Sequence, residues 1–170
     1  MKLVGTHAFL ALSISLMATG CDLLGLNRED VMGANVDAAP ASEPTPSVVC
    51  KNPVASFGGG EHNPGRACNA CHTGSGEAPK FTVAGTLYNS AGVAISGATI
   101  SVVDAASKTF EIVTQRNGNF YTSRAMTFPI RVVASKCPDG KKMYAPISNG
   151  DCNSSGCHVA TGGAGRIHLP

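Results

Sequence analysis

Two short stretches hold the residues best suited to chemistry. In "GRACNACHTG", Gly65 to Gly74, Cys68 and Cys71 lie three apart and His72 follows at once. In "GDCNSSGCHV", Gly150 to Val159, Cys152 and Cys157 are spaced more widely and His158 again follows the second cysteine. A thiol pair of this kind can close a disulfide, exchange disulfides, give thiolates to a metal, or form two thioethers to one flat cofactor. The adjacent imidazole adds a metal ligand.

Cys68-Asn69-Ala70-Cys71-His72 is the CxxCH pattern of covalent c-type haem attachment. Positions three and four apart share one face of a helical turn, so both sulfurs reach one side of a porphyrin and His72 sits beneath the iron as proximal ligand. A thioredoxin-like redox pair wants a strand–helix setting that the flanking sequence does not offer. A zinc site needs four ligands, and Cys68, Cys71 and His62 supply three. A disulfide between Cys68 and Cys71 would close a tight loop. The second stretch, CxxxxCH, resembles the wider-spaced haem motif of some multihaem cytochromes c. Ser154, Ser155 and Gly156 are small and turn-prone, so the extra residues can bulge outward. The resemblance implies a second haem c on Cys152 and Cys157, with His158 as proximal ligand; the alternative is a disulfide-closed loop with a surface histidine. His62 and His168 remain as distal ligands for the two irons, an arrangement that gives lower potentials than Met/His ligation. Met143 is the runner-up axial ligand, and Met126 ranks behind it.

Seven cysteines in 170 residues suggest an oxidising compartment or metal chemistry. The N-terminus favours export. "MKLVGTHAFLALSISLMATGC" has one lysine, an apolar run and then small residues, the layout of a secretory signal. It resembles a bacterial lipoprotein signal whose lipidated residue is Cys21. The apolar run is short for a spanning helix, which takes about 20 residues. Residues 22–49 are rich in Ala, Pro, Ser and acids and read as a flexible tether, spanning on the order of 30 Å as a coil. Cys50 and Cys137 are then left to pair as a disulfide, which in so long a loop contributes about 2–4 kcal/mol. The formal charge of +2 and the lack of a Lys/Arg run give no reason to expect a nucleic-acid partner.

The elements that must position these clusters are strands. Twenty Gly, ten Pro and no Trp favour turns and short strands over long helices. "FTVAGTLY", "VAISGATISVVDA", "KTFEIVTQ", "NFYTS", "MTFPIRVVAS" and "KKMYAP" predict six short strands, with Asn117-Gly118 marking a hairpin and Pro129 an edge or bulge. The fold class is mainly β, a small antiparallel β-sandwich flanked by irregular haem-binding segments. The expected boundaries are 1–20 signal peptide, 21–49 tether, 50–80 first haem-binding segment, 81–147 sandwich and 148–170 second haem-binding segment. Residues 81–146 resemble the carboxypeptidase-regulatory-like domain, a transthyretin-type sandwich, through Ala98 to Val103 and Gly118 to Phe120. Such domains are usually non-catalytic modules.

No GxGxxG, P-loop, G-x-S-x-G or H-E-x-x-H occurs, and no acid/base pair or nucleophile stands out. The expectation is therefore an electron carrier and not an enzyme: a dihaem c-type cytochrome lipoprotein at the bacterial periplasmic or outer-membrane surface, with other redox proteins as partners. A non-haem surface lipoprotein with a disulfide-stapled sandwich is the alternative. A haem sensor or peroxidase-like enzyme would require one iron with an open sixth position.

Overall fold

The computed structural model describes residues 47–56 and 61–170. The signal peptide, Cys21 and residues 22–46 of the tether lie outside the described residues, as do residues 57–60. Among the described residues, no helix is long and apolar enough to cross a membrane.

The chain is mainly β and forms two sheets. Strands β1 (Val83–Tyr88), β2 (Thr99–Val103), β3 (Thr109–Val113), β4 (Asn119–Thr122), β5 (Arg131–Lys136), β6 (Asp139–Lys142) and β7 (Ile167–His168) follow in chain order. One sheet has three strands in the order β4-β1-β7, and the other has four in the order β3-β2-β5-β6. All pairings are antiparallel except β1 with β7, which run parallel with Leu87 opposite Ile167 and Tyr88 opposite His168. The C-terminal segment, expected to be irregular, therefore closes the edge of the smaller sheet.

Burial follows strand position. On β3, Phe110 and Ile112 point inward while Thr109 and Glu111 are exposed, the period-2 pattern of a half-covered strand. β1 and β2 are buried along their whole length, so both of their faces are covered. Between the sheets, Val83, Leu87, Ile100, Val102, Phe110 and Phe120 form one apolar cluster that Ile130 and Leu169 complete. Cys152 belongs to the same cluster.

Three local expectations differ from the structure. The Asn117-Gly118 turn forms, with Gly118 N–H on Gln115 O at 2.9 Å, but its flanking strands enter different sheets. β3 is taken along five residue pairs by β2, and β4 is taken by β1, so the turn is a corner between layers and not a hairpin within one. The last long hairpin reverses at Cys137-Pro138, and β6 starts at Asp139 in place of Lys141. Pro129 precedes β5 and lies outside every strand, which spares the ladder its missing N–H.

Cys50 and Cys137 are joined in a disulfide with a Cα–Cα separation of 4.9 Å. The entering chain is thereby fixed to the β5–β6 turn. Cys137 N–H bonds Lys51 O at 2.9 Å, Val54 N–H bonds Gly97 O at 2.9 Å, and Lys51 pairs with Glu111.

Candidate functional site

The first cluster is built on a turn. Gly65 adopts φ +79, a left-handed conformation that glycine enters without a Cβ penalty, and its N–H bonds Thr86 Oγ1 at 2.8 Å. The next residues wind into a 3-10 turn over Cys68–Ala70. Three residues per turn bring positions i and i+3 into line, which sets Cys68 and Cys71 on one side. His72 N–H closes on Cys68 O at 3.0 Å. The His72 ring places Nδ1 at 2.9 Å from Pro79 O. A carbonyl only accepts, so Nδ1 carries the proton and Nε2 keeps a free lone pair, the state of a ligating imidazole. His72 stacks on Phe81 at 3.9 Å and Phe81 on Tyr121 at 4.5 Å, which fixes the imidazole plane. The His62 ring also faces His72, with ring centroids 5.9 Å apart and planes 25° from parallel. These groups line a cavity of about 610 Å³ together with Cys68, Cys71 and Phe120. That volume lies within the usual range for a bound organic cofactor.

The second cluster is a loop held at both ends by β1. Asp151 bridges Ala84, with Ala84 N–H on Gly150 O and Cys152 N–H on Ala84 O, both at 2.9 Å. The chain leaves β1 there and returns to it as β7. In between, Ser154 N–H bonds Asp151 O at 3.1 Å and Cys157 N–H bonds Ser154 O at 3.0 Å. These two turns push Ser155 and Gly156 outward and bring His158 back, so that its N–H closes on Cys152 O at 2.9 Å. His158 Nδ1 lies 2.9 Å from Gly165 O.

The two clusters thus share one closure despite different spacing. In each, the histidine N–H bonds the first cysteine's carbonyl, and its Nδ1 bonds a carbonyl seven residues further on.

His158, Cys152, Met143 and His168 line a second cavity of about 290 Å³, at the lower limit for such sites. His168 Nε2 accepts from Lys141 Nζ at 3.1 Å. Cys157 is half-buried and is not part of this lining. Met126 packs against the core and lines neither cavity. The structure therefore brings His62 to the first cluster, and both His168 and Met143 to the second.

Burial pushes the Cys68 thiol up to about 11 and the Cys152 thiol up to about 12, with the negative charge of Asp151 as the next cause in each case. All four cluster cysteines carry free thiols. A redox-exchanging pair depends on a lowered thiol pKa, the opposite of what Cys68 and Cys152 show. Among the described residues, no three His, Cys, Asp or Glu side chains gather as a metal cage, so Cys68, Cys71 and His62 do not converge as a zinc site requires. A haem iron asks for only two axial ligands from the chain.

Sequence reading missed the residues that join the clusters. Thr86 is fully buried and stands at their centre. Its N–H bonds Asn153 Oδ1 at 2.8 Å and its hydroxyl donates to Asn119 Oδ1 at 2.7 Å. Asn119 Nδ2 in turn bonds His62 O at 2.9 Å, and Asn153 Nδ2 bonds His158 O at 3.3 Å. The only signal in the sequence was that Asp151 and Asn153 flank Cys152.

Comparison of the chain with protein families, with curated proteins and with solved structures finds no match in any of the three. The reading of both sites rests on the molecule's own residues and geometry.

Proposed function

We propose that the chain is an electron-transfer protein, a c-type cytochrome with two covalent haems, exported and held at a bacterial membrane by a lipid on Cys21. Cys68 and Cys71 form the thioethers of one haem, and Cys152 and Cys157 those of the other. His72 and His158 would hold the irons as proximal ligands, with His62 and His168 as the distal ones, His168 after its Nε2 releases Lys141 Nζ. Bound haem supplies reversible one-electron iron chemistry.

The chain's own residues account for the rest. Pro79 O and Gly165 O hold the two imidazoles in the Nδ1-protonated tautomer. Phe81 and Tyr121 fix the His72 plane. The two-sheet body, locked by the Cys50–Cys137 disulfide, keeps the clusters from moving apart. Histidines on both sides of each iron would close it to substrates, so the protein would carry electrons between partner redox proteins without turning one over.

The observation that carries this reading is the shared closure of CxxCH and CxxxxCH: the same two hydrogen bonds around each histidine, in segments otherwise unrelated in burial. The test is intact mass of the mature protein made with haem-attachment machinery, together with its reduced-minus-oxidised absorbance. Two added haems and a low-spin c-type spectrum are expected. A colourless, iron-free product defeats the proposal and leaves a disulfide-tied β-module on a lipid anchor.

A further inference from the structure

The two clusters are neighbours. Phe120, 1% exposed, lines both cavities. Beside it, Gly85 on β1 has no side chain to intervene: a Cβ there would lie 2.6 Å from Phe120 Cζ and 3.0 Å from Cys152 Cβ. Asn69, inside the first CxxCH, donates its N–H to Asp151 Oδ2 of the second segment at 3.1 Å. Asp151 is 5% exposed, and its Oδ1 makes no hydrogen bond among the described residues. The charge of that carboxylate is felt by the first cysteine of each cluster.

We propose that Phe120 is a common wall between the two cofactor cavities and that Asp151, which lines neither but joins the two cysteine segments through Asn69, lends both redox centres one buried charge, so that they titrate as a coupled pair. This rests on the two-haem reading. A buried charge is screened far less than a surface one, so a carboxylate between the two cysteine segments acts on both centres. On oxidation, one electron leaves each iron for a small-molecule mediator and no bond changes. The positive charge left behind is stabilised by Asp151 at either centre. Asp151 is a positioning and tuning residue; it ligates nothing.

The experiment uses the full chain, matured with haem. Intact mass comes first. Two haems are expected; one or none overturns the two-haem reading and this inference with it. Mediated redox titration, followed by visible absorbance, then compares the unmodified protein with Asp151→Asn. Both midpoints rise together, because the oxidised state of each centre loses the same stabilising charge. Glu111→Gln makes the same charge change on the exposed face of β3 and leaves both midpoints in place. A shift at only one centre, or at neither, overturns the shared charge while the haem reading stands. Should Asp151→Asn fail to mature, the unmodified protein still decides. Its ferric electron paramagnetic resonance signals are broadened by their neighbour and sharpen on half-reduction. Two sharp, additive signals overturn the inference.

Discussion

The two cysteine clusters perform the same closure in opposite surroundings. Cys68 and Cys71 ride on a surface turn beside a cavity of about 610 Å³, with Cys71 exposed. Cys152 is 6% exposed and is part of the core, beside a cavity of about 290 Å³. The first site is attached to the sandwich, whereas the second is woven into it through Asp151 and β7. A motif placed before the first strand can dock on a finished body. A motif placed after the last long hairpin must use the remaining edge of β1, and it is buried in doing so. Disturbance of the second cluster should therefore cost folding, and disturbance of the first should cost mainly local order.

The largest expected effect compares two glycines. A Cβ on Gly150 would overlap the Thr82 carbonyl oxygen, a backbone atom that cannot give way. Gly150→Ala is expected to cost about 3 kcal/mol, at the upper end for overpacking. At Gly65 the added Cβ would meet the Tyr88 hydroxyl at 2.7 Å, at the tip of a side chain that can shift, and it would adopt φ +79. Gly65→Ala is expected to cost about 1–2 kcal/mol, the left-handed penalty. Denaturant unfolding measures both; the reverse order would break the comparison.

The disulfide sets a common baseline. Replacing Cys50 and Cys137 by Ala removes the closure of an 87-residue separation and is expected to cost about 2–4 kcal/mol. The haem count by mass stays unchanged, since neither cysteine lines either of the two cluster cavities. Loss of one haem in this variant would mean that one cluster depends on the bridge.

Axial ligation sharpens the contrast further. His62→Ala is expected to turn one of the two haem signals high-spin in the visible spectrum, because among the described residues His62 is the only histidine besides His72 that lines the first cavity. In the second cavity two candidates compete, and His168→Ala is expected to produce the same change there while Met143→Leu does not. The opposite result would make the second iron Met/His ligated and raise its potential.

The remaining effect is chemical and leaves the fold intact. In chain produced without haem attachment, exposed Cys71 is alkylated readily. The Cys68 thiol at about 11 and the Cys152 thiol at about 12 have their folded pKa values raised, so the fold favours the protonated form and thiolate accumulates only as pH climbs toward those values. At pH 8 both should react about 100-fold slower, or more, than the same thiols in denaturant, where the pKa returns to about 8.5. Mass-resolved alkylation across pH 7–11 checks this. Equal rates in both states would show that neither thiol is held as described.

Much of this molecule was legible in the sequence because it is written in short-range patterns. Alternating β-branched residues announced the strands, Asn117-Gly118 announced a reversal, and each Cys–Cys–His run announced its cluster. The spacing of Cys68, Cys71 and His72 matches a turn whose geometry is local, and small residues at 154–156 allowed the wider loop to fold outward. Partner choice was not legible. Nothing local told β3 and β4 to enter different sheets, since a turn reverses the chain without naming the layer it joins. Nothing local told Ile167 and His168 to pair with Leu87 and Tyr88 either, because two residues carry no periodicity. That last pairing, with the Ala84–Asp151 bridge, draws the far end of the chain onto the strand that already carries the first cluster. The sequence by itself determined the order and spacing of the cysteines and histidine in each cluster; only the tertiary structure decided that the two cavities meet at Phe120, because burying both faces of β1 required both ends of the chain.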